Sequence, residues 1–387
     1  MKPISIFILL LPLLLSCQHQ SLPVVAPWGD EVVIEGTPTL QGENDEEEEA
    51  DFDLDQIQHA GELIALTISG PETYYDYHGK ALGLHATLCQ QLADTLGVRL
   101  RIEVCRDTAE MNSRLAQGDA DLIAYPMVAP DSLWPGWRVA TEKPLLAAMI
   151  TQWYRGDRMD NACQEEQRLL TTARVKRKVY APMLSRQGGI ISKYDALFQH
   201  HSQTIHWDWR LMAAQCYQES TFDPKALSWA GARGLMQIMP ATADHLGLAR
   251  SQMYDPEQNI AAAARYIKEL QATFSDIKDR REQQDFILAA YNGGAHHIRD
   301  AMALAKREGR NDHSWSEVSA FVLRLSQPQY YCDSLVKNGY MRGSETVDYV
   351  RLIRERYQMY RGAARPHNCS SVPQKSQNAR HRKKYKL

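Results

Sequence analysis

Glu219 is the side chain in this sequence best placed to move a proton. The stretch from Trp207 to Glu219 has helical character, and Met212, Cys216 and Glu219 fall at i, i+4 and i+7, so they share one face. A carboxyl group on a partly apolar stripe loses hydration. Its pKa is then expected to rise towards the range of a general acid working near neutral pH. The competing expectation is a solvated glutamate in a last turn, because Glu is rarely buried without a partner. Downstream come Ser220, Ser228, Gly234-Leu235-Met236-Gln237, Ala290-Tyr291-Asn292-Gly293-Gly294, and then Glu345-Thr346 with Tyr349-Val350. Taken singly, Met236 reads as core filling and Asn292-Gly293-Gly294 as a helix-ending turn.

Together and in this order, these motifs resemble the catalytic domain of the soluble-type (SLT) lytic transglycosylases, a lysozyme-like helical fold that cleaves peptidoglycan. The resemblance covers residues 190–362. It implies Glu219 as the sole catalytic acid and base, with Ser220 and Glu345 in supporting roles. Ser228, which would orient the muramic acid residue, and Met236, Gln237, Tyr291, Asn292 and Tyr349 would bind substrate. Ordinary glycosidases need two carboxyl groups, one to protonate the leaving oxygen and one to attack or to activate water. The resemblance implies that one suffices here, with the bond between N-acetylmuramic acid and N-acetylglucosamine cut and a 1,6-anhydro end formed. Two other readings stay open: a hydrolytic muramidase, and a non-catalytic lipoprotein that binds glycan or solute. Asp223 is the nearest second carboxylate in sequence, but it precedes Pro224 and reads as a helix cap. No cofactor is expected.

Around these residues the sequence predicts a mainly α domain. Asp255-Pro256 with Gln258 forms a capping box, Pro240 starts a helix, and the alanine-rich runs 260–270 and 286–290 have the pattern of close-packed helices. Asn311, Pro328 and Gly339 mark a long helix-breaking connection before a final helix from about Glu345 to Tyr360.

The other end of the chain carries an address. Met1 and Lys2 precede an apolar run from Ile4 to Leu15, which is too short to span a bilayer and reads as a signal peptide. Leu14-Leu15-Ser16-Cys17 resembles a lipobox, so residues 1–17 are expected to end in a lipidated Cys17. That implies a lipid-anchored protein of the bacterial cell envelope, on the outer membrane facing the periplasm. Residues 18–57, with the acidic run 43–49, lack the apolar content to fold and are expected to form a disordered tether.

Residues 58–157 read as a second folded unit. Leu63–Ile68 forms a strand, Leu84, Leu88, Leu92 and Leu96 mark a helix stopped at Gly97, and Val98, Leu100, Ile102 and Val104 alternate as a strand. Asp107 and Glu110 form a capping box, and Leu122–Tyr125 gives a third strand. Alternating strands and helices argue for an α/β layer. This unit resembles one lobe of the periplasmic solute-binding proteins, whose ligands sit between two lobes. A second lobe has no room in the 158–189 linker, so no ligand residue is assigned. The combination resembles the membrane-bound lytic murein transglycosylase F group in shortened form: one solute-binding-protein-like α/β lobe followed by a lysozyme-like helical catalytic domain. The first domain is expected to position the second, or to bind a wall peptide or a protein partner.

Composition adds modest limits. The 387 residues, 44% hydrophobic, leave ample chain for two cores, and the net charge of −3 hides an acidic N-terminal block and a basic tail over 363–387. That tail is expected to be solvated and disordered, and no aromatic interleaving points to nucleic acid. Seven cysteines are present; with Cys17 set aside, the other six fit a compartment that permits disulfides, and Cys216 is expected to be a buried small hydrophobe. His200-His201 and His296-His297 are adjacent pairs without a ligand cluster, so no metal site is expected.

Overall fold

The structure, a computed structural model, describes residues 53–127, 133, 135–173 and 182–363. The signal peptide, Cys17, most of the tether, Cys369 and nearly all of the basic tail lie outside the described residues.

An α/β lobe comes first. It runs α1 (Asp53–Ala60), β1 (Glu62–Ile68), β2 (Tyr75–Tyr77), β3 (Lys80–Leu82), α2 (Leu84–Leu96), β4 (Arg99–Cys105), α3 (Thr108–Ala116), β5 (Leu122–Ile123), β6 (Arg138–Val139), α4 (Pro144–Trp153) and α5 (Gly156–Ala173). The main sheet has the order β4-β1-β5-β6, with β1 parallel to β4 and β5, and β6 antiparallel to β5. Central β1 is covered on both faces, as its apolar sequence requires. Leu63 and Ala65 pack with Leu88 and Leu92 of α2, while Leu66 packs on the other side with Met111 and Leu115 of α3.

Several expected boundaries shift. The folded unit starts at Asp53, ahead of residue 58, because Asp53 is drawn into the lobe. Its Oδ2 accepts from the backbone N–H groups of Leu145 (2.7 Å) and Leu146 (3.1 Å). It thereby caps α4, whose preceding residue Lys143 offers no acceptor. Half of the expected linker, residues 158–173, is helix α5. Strand β4 loses its alternation at its end, where Val104 is 46% exposed and Cys105 is buried, as an edge strand allows. The third strand is only Leu122–Ile123, and Asp107 caps α3 through the Glu110 N–H, while the Glu110 carboxylate reaches Arg106 N–H.

The helical domain comprises α6 (Asp195–Thr204), α7 (Trp209–Ser220), α8 (Pro240–His245), α9 (Pro256–Thr273), α10 (Arg280–Gly293), α11 (Ala295–Arg307), α12 (Trp315–Arg324), α13 (Pro328–Tyr331) and α14 (Gly343–Ala363). Asp255 caps α9 through the Gln258 N–H with Pro256 at its start, as expected. The stretch after Gly294 differs: α11 and α12 occupy nearly half of the expected break, because Ile298, Ala301, Leu304, Val318 and Phe321 form buried stripes. Asp223 caps no helix; its Oδ1 accepts from Lys225 N–H (2.9 Å) in a turn. One continuous core, with Phe198, Phe274, Phe286 and Ile353 fully enclosed, binds α6, α7, α9, α10, α12 and α14 together. Each such side chain contributes about 1.5–3 kcal/mol by leaving water.

Candidate active site

Helix α7 is the element that presents the acid. Leu211 to Cys216 are buried, so the helix runs through the core and delivers Glu219, half-buried, at its penultimate position. The helix ends at once: Thr221 and Phe222 have φ of 56° and 63°, two consecutive left-handed residues without glycine. Such conformations persist only where surrounding packing imposes them, and they cluster at functional sites. Ser220, buried, closes the last turn by donating to the Cys216 carbonyl (3.3 Å). Cys216 is the enclosed thiol expected, donating to the Leu235 carbonyl (3.3 Å) with its pKa pushed up by burial.

Tyr349 of α14 donates its hydroxyl to Oε1 of Glu219. Tyr291 of α10 stands beside it and donates to the Met236 carbonyl (2.8 Å). Burial and then the charge of Glu219 hold both phenols well above their ordinary pKa, so both remain proton donors. Gln215, one turn before Glu219 and fully buried, lies against the Tyr349 hydroxyl.

The second bank of the site is the loop from 226 to 239. Ser228 closes it: the Ser228 N–H donates to the Ala232 carbonyl (2.9 Å) and the Ser228 hydroxyl accepts from Ala232 N–H (2.9 Å). Gln237, at φ 48°, donates through Nε2 to the carbonyls of Ala226 (3.2 Å) and Gly234 (3.0 Å). Asn259, fully buried in α9, accepts from Met236 N–H (2.8 Å) and donates to the carbonyls of Met253 (2.8 Å) and Arg233 (3.0 Å). The loop approaches so closely that a Cβ on Gly234 would sit 2.4 Å from the Met253 oxygen, and its φ of 79° also demands glycine. Asn292 accepts from Thr346 Oγ1 (2.8 Å), which ties α10 to the start of α14.

Two expected roles come out differently. The Met236 side chain is fully buried in the core, while its N–H and carbonyl are bonded to Asn259 and Tyr291. Glu345 pairs with Arg342 (3.0 Å) and accepts from Tyr77 of the α/β lobe. Gln215, Asn259 and Arg356 were not anticipated. Gln215 had a signal, its i−4 spacing from Glu219 on one helix face. Among the described residues no cluster of His, Cys, Asp and Glu could hold a metal ion.

Residues 196–314, which include the helix that carries Glu219, match the transglycosylase SLT domain family. The chain is similar to the membrane-bound lytic murein transglycosylase F proteins. With that of Maricaulis maris it is 40% identical over 165 residues, 43% of this chain and 35% of that protein. With that of Citrobacter koseri it is 28% identical over 421 residues, 79% of this chain and 81% of that protein. The alignments to the Maricaulis maris protein and to that of Pseudomonas putida span only about a third of those proteins' length. Because 79% of 387 residues is about 306, roughly 115 of the 421 aligned positions fall opposite gaps in this chain, the size of a small domain. Among solved structures, the 70 kDa soluble lytic transglycosylase of Escherichia coli is 25% identical, with 44% of this chain and 24% of that one covered and a TM-score of 0.33.

Proposed function

We propose that this protein is a peptidoglycan lytic transglycosylase in which Glu219 acts first as acid and then as base. The observation that carries the reading is the Tyr349 hydroxyl on Oε1 of Glu219 within an SLT domain. The Tyr349 hydroxyl fixes the orientation of the carboxyl group, which in its protonated form delivers a proton to the glycosidic oxygen. Glu219 protonates the oxygen between N-acetylmuramic acid and N-acetylglucosamine, and the C1–O bond breaks. The substrate's own N-acetyl group stabilises the positive centre. The Glu219 carboxylate then takes the proton from the C6 hydroxyl, whose oxygen bonds to C1, and a 1,6-anhydro end forms without water. Gln237, Asn292 and the Ser228 hydroxyl are of the types that orient sugar rings and amides.

Asp223 supports this reading over hydrolysis, since it is exposed and engaged in its own turn. The single lobe supports a positioning role for the first domain, with a wall peptide or a protein as its alternative partner. We place the protein in the bacterial envelope, lipid-anchored through Cys17 on the outer membrane. No helix of the described residues is long and apolar enough to cross a membrane.

The test is mass spectrometry of purified peptidoglycan after incubation with the protein and with Glu219→Gln. Anhydro-muropeptides made only by the unaltered protein are expected. Reducing ends in their place would transfer the assignment to a hydrolytic muramidase, and products from Glu219→Gln would remove Glu219 from its role.

A further inference from the structure

From Leu211 to Cys216 helix α7 is buried, and every side chain in that run is apolar or a thiol except one. Gln215 is the exception, and none of its surface is exposed. Neither its Oε1 nor its Nε2 makes a hydrogen bond of full geometry among the described residues. An enclosed amide with incomplete bonding costs free energy that a leucine or methionine of similar volume would not, so packing gives no reason for it. Breaches of this kind concentrate at functional sites, and Gln215 lies beside one. It precedes Glu219 by four residues, one turn or about 6 Å along α7, so the two side chains share a face.

Tyr349 reaches across from α14 to that face. Its hydroxyl donates to Glu219 Oε1 and lies against the Gln215 amide. A phenol has one hydrogen to give and lone pairs with which to accept. Three polar groups face this one: Glu219, Tyr291 and Gln215. Tyr291 has committed its own hydrogen to the Met236 carbonyl (2.8 Å), so it is no donor to Tyr349. The amide of Gln215 is the donor that remains among them, and it opposes the rise in the Tyr349 pKa that burial and the Glu219 charge cause. A phenol oxygen that receives an N–H keeps its own hydrogen on the far side, here towards the carboxyl. Such bonds are commonly long or poorly aligned in a resting enzyme and tighten when the reacting group is bound.

We propose that Gln215 is a positioning residue for the reaction: its amide donates to the Tyr349 oxygen and so keeps the tyrosine hydrogen turned to Glu219 in both protonation states of the carboxyl. Without that donor the phenol can turn and accept the proton that Glu219 must deliver to the glycan. The chain runs Gln215 to Tyr349 to Glu219, each bond polarising the next in the enclosed interior. The inference rests on the transglycosylase reading and adds a residue, remote from the sugar, that sets the direction of the hydrogen bond on the acid.

The experiment measures initial rates of bond cleavage on soluble glycan strands by the full-length protein and by Gln215→Met, each with and without Tyr349→Phe, beside thermal unfolding of all four. Methionine keeps the length of the side chain and removes its donor. Gln215→Met should unfold at or above the midpoint of the unaltered protein, lower kcat about tenfold and leave KM within about a factor of two. In the Tyr349→Phe background, where no hydroxyl is left to orient, the same substitution should cost no further rate. If Gln215→Met loses its cooperative transition, Gln215→Leu takes its place in the comparison, and failure of both to fold makes the amide a structural group and overturns the proposal. An unchanged kcat overturns it too, as does an equal loss in both backgrounds, which would put Gln215 outside any chain through Tyr349. Reducing ends in place of anhydro ends overturn the transglycosylase reading alone, since the comparison counts bonds cut. No cleavage by the unaltered protein removes the role of Glu219, and with it the inference.

Discussion

Tyr349 and Arg356 lie seven residues apart on one face of α14 and grip the same helix. Tyr349 holds the Glu219 carboxyl, and Arg356, fully buried, donates to the Ala214 carbonyl (3.4 Å) and to Gln218 Oε1 (3.2 Å), with its guanidinium 4.7 Å from the Tyr217 ring centre. An arginine without exposure is tolerated only where such partners replace water. It fixes the register of α14 against α7, and so the seat of the tyrosine on the acid.

Arg356→Met keeps the length of the side chain and removes its donors. Hydrogen bonds to charged groups contribute about 1.5–3 kcal/mol, so the variant should lose stability on that order. Urea unfolding measures it, with a lower midpoint and an unchanged slope expected.

Tyr349→Phe removes one hydroxyl from the site and nothing from the core. By analogy with loss of a single positioned donor in other enzymes, kcat should fall about 100-fold or more with KM nearly unchanged. A fall confined to KM would show that Tyr349 binds sugar without assisting the acid.

Asn259→Ala should cost at least about 2 kcal/mol, since it leaves the Met236 N–H and the Met253 carbonyl without their partner in the interior and takes one of two donors from the Arg233 carbonyl. The loop carrying Ser228 and Gln237 would loosen, raising KM for glycan. Thermal unfolding and initial rates read the two effects separately.

His85 gives the lobe a pH dependence. Trp137 Nε1 donates to its Nδ1 (2.8 Å), which requires a neutral ring, and burial lowers its pKa to about 4. Between that value and the ordinary one near 6.5, the unfolded chain binds a proton that the folded chain refuses, so stability rises with pH across this window. Going from pH 7 to pH 4 should remove about 3 kcal/mol from the lobe. His85→Gln should flatten that slope in urea unfolding at a series of pH values.

Helix α7 was legible because its information is local: Met212, Cys216 and Glu219 repeat at helical spacing, and the structure buries the first two and leaves the third at the helix end. The α/β order of the lobe was legible for the same reason. What escaped depends on distant partners. Glu345 and Tyr77 meet across 268 residues, and a Tyr-His-Gly-Lys turn carries no mark of what it will touch. Arg356 reads as a surface charge by type, since arginine is seldom enclosed. The breakers Asn311, Pro328 and Gly339 drew a long loop over α11 and α12 because each sits at a helix junction, and their buried stripes went uncounted.

The carboxylate of Asp53 on the N-terminal end of α4 also sets how the lobe bears load. A pull on the chain ahead of residue 53 meets first the two hydrogen bonds to Leu145 and Leu146, together with the enclosed side chain of Ile57. Strand β1, joined to neighbours on both edges, lies behind them. The lobe thus has a mechanical fuse at its entrance: α1 can peel away under tension while the sheet stays in register.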